Sequence, residues 1–418
     1  MGYNIQEKIS ILSGAAKYDA SCASSGSEGF TDPNGKKAKF GISKPLGVCH
    51  SWTEDGRCVS LLKVLYSNVC KYDCAYCVNR SSADIKRASF TVNELAELTC
   101  EFYKRNYIEG LFLSSGIFAD PDIVMEKLTE TAKTLRTVNG FGGYIHLKLI
   151  PGTGEKMIKE AGKWADRLSC NIELPTEKSL QCLAPDKSKE DILGAMNDFA
   201  GLKTEHDSGQ NRKQFFAPAG QSTQLIVGAS EEHDKQIINL TSSLYNKFSL
   251  KRVYYSAFIF PTPGEKKSDP RLPEIITPPL VREHRLYQAD WLLRFYHFNA
   301  EEILSDDEPF LDSLLDPKTV WALKNLDFFP IEINRADYET LLRIPGIGAK
   351  TARRIIERRR SHSLSIEALS RMGAVLKRGR YFLTANGKHI ENPDDPARIR
   401  RLLEGKDGAG LQLPLFDF

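Results

Sequence analysis

No apolar run in the 418-residue chain approaches the roughly 18 residues that a membrane span requires, so no membrane is expected as a partner. The N-terminal stretch MGYNIQEKIS lacks the apolar core and small-residue cleavage site of a secretory signal. Cysteine occurs nine times, an odd count in a chain long enough to build its own core, which argues against a disulfide scaffold. These absences predict a reducing, cytoplasmic setting. Excess charge of one sign is also missing: the net charge is +3, so attraction for a polyanion has to come from a local patch.

What the chain does have is VLYSNVCKYDCAYCVNRSS, which places Cys70, Cys74 and Cys77 within eight residues. A structural zinc site wants four ligands, usually as two spaced pairs, and the following VNRSSADIKRASF holds no Cys or His. Three thiolates on a cubane iron-sulfur cluster leave one iron open to a substrate or cofactor. The spacing therefore favours a reactive cluster over zinc. Written as C-x3-C-x-aromatic-C, with Tyr76 as the aromatic, the run resembles the signature of the radical SAM superfamily. That resemblance implies a 4Fe-4S cluster on the three cysteines and S-adenosylmethionine (SAM) chelating the fourth iron, with Tyr76 near the adenine. It further implies a flavodoxin or ferredoxin electron donor and a 5'-deoxyadenosyl radical as the hydrogen-abstracting species.

From Leu61 to about Phe260, apolar runs of strand length alternate with amphipathic helical stretches, from LLKVLYS through IEGLFLSS, YIHLKLI and STQLIVGA to RVYYSAFIF. This order predicts an α/β fold with a parallel sheet and helices outside it. Six strand-helix units resemble the superfamily's partial (β/α)6 barrel. Ligand groups belong at the C-terminal ends of such strands. Ser114, Ser115 and Gly116 stand where the superfamily often has Gly-Gly-Glu, so the serines or backbone carbonyls would meet the SAM amino group. By strand parity His146 and Lys148 share one face, as do Ser169, Asn171 and Glu173. Bound SAM would give these groups partners; an internal hydrogen-bond network is the alternative. Cys170 points the other way and is expected to be structural. Gln224 and Gly228 loosely match a Gly-x-Ile-x-Gly-x-x-Glu pattern. No residue declares itself as a catalytic hydrogen donor.

Cys22, Cys49 and Cys58, with His50, could hold a second cluster or a zinc ion; their spacings fit no standard metal pattern, and free buried thiols are the simpler reading. Beyond the barrel a long amphipathic helix, PPLVREHRLYQADWLLRFYHFNAEEIL, leads into the acidic SDDEPFLDSLLDPK. Then INRADYETLLRIPGIGAKTARRIIERRR joins two helical stretches through Pro345–Gly348. Glycines allow a tight turn that exposes N–H groups at the start of the second helix, an anion site suited to phosphate. It looks like a helix-hairpin-helix that grips nucleic-acid backbones, with Gly346, Gly348, Lys350, Arg353 and Arg354 as candidate contacts. A degenerate second copy surrounds MGAV. From Leu341 to Ile390 twelve Lys or Arg face two Glu, about +10, which leaves about −7 for the rest of the chain.

The expected organisation is a Cys-containing extension over 1–60, the partial barrel over 61–265, a helical and acidic linker over 266–330, a small all-α hairpin domain over 331–390 and a flexible tail over 391–418. Cluster motif, REHRLYQADWLLRFY and hairpin together resemble one radical SAM family found beside a uracil-DNA-glycosylase-like partner and classed with DNA modification or repair. The expected function is radical chemistry on a DNA base or sugar, with RNA as the rival substrate and a non-catalytic, redox-sensing cluster protein as the rival class. The tail residues Gln412–Phe416 read Gln-Leu-x-Leu-Phe, which resembles the peptide that binds the replication sliding clamp.

Overall fold

The computed structural model describes residues 3–16, 48–52, 58–209, 214–260, 269–273, 278–391 and 395–405. The chain divides into two compact units, Met1–Glu231 with Ser243–Pro278, and Glu232–Ser242 with Pro279–Phe418.

The first unit is a curled seven-stranded sheet in the order β1 to β7. Strands β2 (Cys58–Leu65), β3 (Gly110–Ser114), β4 (Tyr144–Lys148), β5 (Arg167–Ser169), β6 (Gln221–Val227) and β7 (Arg252–Ala257) run parallel. They form the half-barrel of six. The edge strand β1 (Val48–Trp52) pairs antiparallel with β2. It and helix α1 (Ile5–Ala15) belong to this unit, so the expected cut at residue 60 falls inside strand β2.

The crossovers are made by α2 (Val92–Lys104), α3 (Pro121–Thr137), α4 (Glu155–Gly162), the pair α5 (Glu177–Leu183) and α6 (Lys189–Ser208), and α7 (Asp234–Phe248). Local sequence starts them: Thr91 and Glu94 form a capping box on α2, Asp120 caps α3 with Pro121 in its first turn, and Ser188 caps α6.

The two sheet faces differ in chemistry. Leu62, Val64, Leu111, Leu113, Ile145, Leu147 and Leu168 alternate onto one face and are all fully buried. That face meets the helices, as Gln221 Nε2 donating to Met196 O of α6 at 3.1 Å marks. The opposite, concave face carries Lys63, Phe112, His146, Lys148, Ser169, Ser222 and Arg252 at positions in register. Apolar burial holds the layers together, and the concave face is left for polar work.

The second unit holds α8 (Leu280–Phe295), α9 (Ala300–Ile303), α10 (Pro317–Lys324), α11 (Tyr338–Arg343), α12 (Ala349–Arg358), α13 (Ile366–Arg371), α14 (Leu376–Gly379) and α15 (Pro396–Leu403). Three short strands, β8 (Ile331–Glu332), β9 (Leu383–Ala385) and β10 (Lys388–His389), add a small sheet to the helical hairpin region that the periodicity reading had as helix only. Strands of two or three residues leave no period-2 signal.

The expected linker over 266–330 is, in its described helical part, a body of this unit. Arg285, 1% exposed, donates to Asp312 O at 3.0 Å and Ser313 O at 3.1 Å, which satisfies a charge that burial would otherwise penalise. The expected tail also begins as structure: Ile399 and Leu403 of α15 are buried and Arg400 pairs with Asp312. Residues 406–418, with the Gln412–Phe416 peptide, lie outside the described residues.

Candidate cluster site and nucleic-acid interface

The cysteine loop runs between β2 and α2, at the C-terminal end of the strand. Buried Asn68 pins its two ends, donating to Lys86 O at 2.8 Å and accepting from Ala88 N–H at 2.8 Å. Arg87 spends its guanidinium on four loop carbonyls: Asn68 O at 2.6 Å, Asn79 O at 2.8 Å, Arg80 O at 2.6 Å and Ala83 O at 3.0 Å. The loop also docks on its neighbours. Ala75 N–H donates to Leu183 O at 2.7 Å, Asp73 N–H to Asp186 Oδ2 at 2.8 Å, and Lys71 N–H to Ile117 O at 2.8 Å. The three thiols are thus presented by a loop whose shape does not depend on sulfur.

Cys74 is buried, and Cys70 and Cys77 are partly so. Burial pushes the Cys74 thiol up to about 11 and, with Cys74 beside it, the Cys77 thiol up to about 12. Left to themselves these sulfurs stay protonated; iron would supply the charge that makes them thiolates. Among the described residues no three or more His, Cys, Asp or Glu close around one point as a single metal ion needs. A zinc ion bonded at about 2.3 Å requires sulfurs about 3.8 Å apart. A cubane gives each thiolate its own iron, the role that three cysteines on one loop would fill. Asn79 N–H already donates to Cys77 Sγ at 3.3 Å, a contact that stabilises a thiolate ligand.

The expected cofactor residues gather at the same end of the sheet. Gly116 passes so close to the loop that a Cβ there would lie 2.5 Å from Val69 O and 3.3 Å from Cys70 Cβ. No side chain fits. Ser114 O accepts from Tyr66 N–H at 2.8 Å, and Ser115 Oγ donates to Gly116 O at 2.8 Å. The Tyr76 hydroxyl is out of solvent and takes no hydrogen bond, an orphan that a ligand could partner.

Glu173 sits with φ +64 and is bonded to Lys187 Nζ at 2.5 Å; Lys187 in turn lies 5.8 Å from the centre of the Tyr76 ring. Burial opposes the charge on Lys187, yet Glu173, Tyr76 and Cys74 hold it well above the usual lysine range. Lys187 escaped the sequence reading because APDKSKE carries no strand or helix period. Asn171 and Lys148 are buried. His146 Nε2 and Ser169 Oγ are 2.7 Å apart. Burial, and then Arg167, Lys148 and Lys63, hold His146 well below the ordinary histidine range, so it stays neutral. Cys170 is fully buried. Gln224 is buried on β6, and Gly228 turns with φ +84. Cys22 lies outside the described residues, as do the side chains of Cys49, His50 and Cys58; the backbones of Cys49 and Cys58 oppose Leu61 and Trp52 on β1 and β2.

In the second unit Gly346 has φ +78 and a Cβ would stand 2.3 Å from Val375 O, while Val375 N–H donates to Gly346 O at 2.9 Å. The two hairpin turns are therefore joined backbone to backbone. Lys350 and Arg353 are exposed on α12. Arg353 borders a concavity of about 350 Å³ that Tyr338, Ile356, Glu357 and Arg360 complete. Arg354 is exposed on the same helix, and its Nη1 donates to Met372 O at 3.0 Å, bracing the second turn. Tyr296 underlies the first turn. A Cβ on Gly348 would stand 3.0 Å from its hydroxyl.

Lys318 is buried beside this turn, donating to Ile347 O at 2.6 Å with its Nζ 4.6 Å from the centre of the Tyr296 ring. Burial is the main cause that brings Lys318 down to about 7; Asp316 opposes the shift, and Arg343 and Arg378 add to it. Between that value and the ordinary lysine value near 10.5 the unfolded chain binds the extra proton, so stability rises with pH, and the gain is lost as pH falls through about 7. We expect the unfolding free energy of the wild-type protein, from urea titrations, to climb from pH 7 to pH 9 by up to about 1.4 kcal/mol per pH unit relative to Lys318→Met. Parallel pH profiles of the two proteins would refute it.

Residues 64–206 match the family model of the radical SAM superfamily, and residues 328–371 match that of the helix-hairpin-helix motif. The chain therefore carries a radical SAM domain, that of an enzyme superfamily using a 4Fe-4S cluster and SAM, together with a nucleic-acid-binding motif. No curated protein matches the sequence. Among solved structures, HydG, a maturase of the FeFe-hydrogenase, is similar at 16% identity and TM-score 0.41 over 55% of this chain and 48% of its own. HydG from Carboxydothermus hydrogenoformans gives 14%, 0.40, 55% and 49%. Methylornithine synthase (PylB) gives 17%, 0.38, 55% and 60%. The chain thus spans about half of the HydG proteins and three-fifths of PylB. Among the described residues no helix is long and apolar enough to cross a membrane.

Proposed function

We propose that this chain is a radical SAM enzyme acting on nucleic acid, with DNA as the substrate, where it modifies or repairs a base or sugar. The observation that carries the reading is the union in one chain of a cysteine triad on a radical SAM domain and a pair of joined hairpin turns whose exposed helix bears Lys350 and Arg353. When bound, the cluster supplies the electron that splits SAM. The protein's part is to hold the three thiols with Arg87 and Asn68, to keep Gly116 free of a side chain beside Cys70, and to offer Tyr76, Ser114, Ser115, Asn171 and Glu173 to the cofactor.

The hairpins supply affinity for the backbone without reading sequence, because helix-start N–H groups and cations meet phosphates that every sequence shares. A base within a duplex is out of reach of a barrel, so the target is flipped or single-stranded. A flavodoxin or ferredoxin donates the electron. In this reading a uracil-DNA-glycosylase-like protein is its partner, and a sliding clamp that meets Gln412–Phe416 would bring it to DNA under maintenance.

The reconstituted, reduced protein is expected to release 5'-deoxyadenosine from SAM and to bind duplex DNA with a steep salt dependence, more tightly than tRNA at matched salt. Tighter binding of tRNA would transfer the reading to RNA. Cluster loading without SAM cleavage would make the protein a sensor.

A further inference from the structure

We propose that Lys187 is a positioning residue of the cluster site: it places a fixed positive charge against the cysteine loop, and that charge makes the cluster easier to reduce by the one electron that SAM cleavage consumes. The inference rests on the reading that Cys70, Cys74 and Cys77 hold a 4Fe-4S cluster, and not on the choice of nucleic acid as substrate.

Two anchors fix the charge. Glu173 is held in the sheet from both sides, its N–H donating to Gln224 O at 3.1 Å and its carbonyl accepting from Ile226 N–H at 2.8 Å. Its φ of +64 is one that a residue other than glycine keeps only where its surroundings hold it. Lys187 Nζ donates to Glu173 Oε1 at 2.5 Å, and the two side chains are only 12% and 11% exposed. Lys187 ends the turn that follows α5, with its N–H on Ala184 O at 2.9 Å. The same turn grips the cysteine loop on either side of Cys74: Leu183 O accepts from Ala75 N–H at 2.7 Å and Asp186 Oδ2 from Asp73 N–H at 2.8 Å. The stretch Leu183–Lys187 thus carries the cation and also holds the loop that the cation faces, with Lys187 Nζ 5.8 Å from the centre of the Tyr76 ring.

The ion pair turns its positive end to the loop. Burial acts most on the Cys74 thiol; after it Lys187 favours the thiolate, and Glu173 opposes it less strongly. At Cys170, beyond the end of β5, burial again leads, but there Glu173 outweighs Lys187. The lysine end of the pair therefore lies toward the loop and the carboxylate end toward the strand. Reduction adds a negative charge to a cluster that three thiolates already make anionic, so a neighbouring cation favours the reduced form, and burial limits how far water screens it.

The test is an anaerobic redox titration of the full-length, cluster-loaded protein without SAM, with dithionite as the one-electron reductant and the reduced cluster read by electron paramagnetic resonance. Lys187→Met is expected to lower the ratio of reduced to oxidised cluster at a given potential about tenfold, a shift of about 59 mV to more negative potential. A buried carboxylate left alone can unsettle a fold, so Lys187→Met with Glu173→Gln removes both charges together and should still lower the ratio about threefold. Lys187→Arg, which keeps the charge, should leave the ratio unchanged. A wild-type ratio in both methionine variants, or a fall in Lys187→Arg as large as in Lys187→Met, would overturn the proposal. Loss of iron from both methionine variants would make the pair a support for the loop's shape and overturn it too. Wild-type protein that binds no iron would instead overturn the cluster reading itself, so the two failures are separable.

Discussion

Alanine at Cys70, Cys74 or Cys77 is expected to reduce SAM cleavage to the background of protein without iron, while the fold survives. The loss is complete because three thiolates are the fewest that present a cubane with one open iron; two leave it with no stable seat. The fold survives because the loop is held by other groups. Arg87 binds four of its carbonyls, Asn68 closes its neck, and Ala75, Asp73 and Lys71 dock it through backbone donors. Removing one sulfur costs about 1–2 kcal/mol of burial at most. The measurements are 5'-deoxyadenosine by chromatography, iron per chain, and the urea midpoint. Cleavage at wild-type rate in any one of the three variants would end the cluster assignment. Arg87→Met, which keeps all three thiols, should bind less iron.

Valine at Gly346 is expected to remove nucleic-acid binding by at least tenfold. A side chain there collides with Val375 O at 2.3 Å and must adopt φ +78, a region that costs a β-branched residue about 1–3 kcal/mol. The bond from Val375 N–H to Gly346 O breaks with it, and the two turns part. Because such a variant could lose structure more widely, Lys350→Ala with Arg353→Ala provides the independent check. Both side chains are exposed, so the unit should stay folded while the slope of log affinity against log salt falls by about 2. Anisotropy titrations across a salt series measure this. An unchanged slope in the double variant would make the hairpin structural. The protein used should be the full chain, since Tyr296 and Lys318, which brace the turn, precede residue 331.

Local chemistry made the cysteine run, the barrel's alternation and the PGIG turn legible in the sequence, because each is a short-range pattern: a ligand spacing, a period of two or 3.6, a glycine where the turn needs one. Strand parity likewise put His146 with Lys148, which both meet Phe112, since alternation along an extended chain is covalent geometry. What fell to tertiary structure were the partners across distance. Lys187 is fourteen residues beyond Glu173, and Lys318 is twenty-nine before Ile347. Arg354 shares its guanidinium with Met372 O, and the stretch read as a linker holds helices around a buried Arg285. Sequence by itself determined which chemistries the chain can present, because those depend on residue type and near spacing. Which charges are spent on the protein and which face a ligand was decided only when strands came into register and burial left each polar group to find a partner.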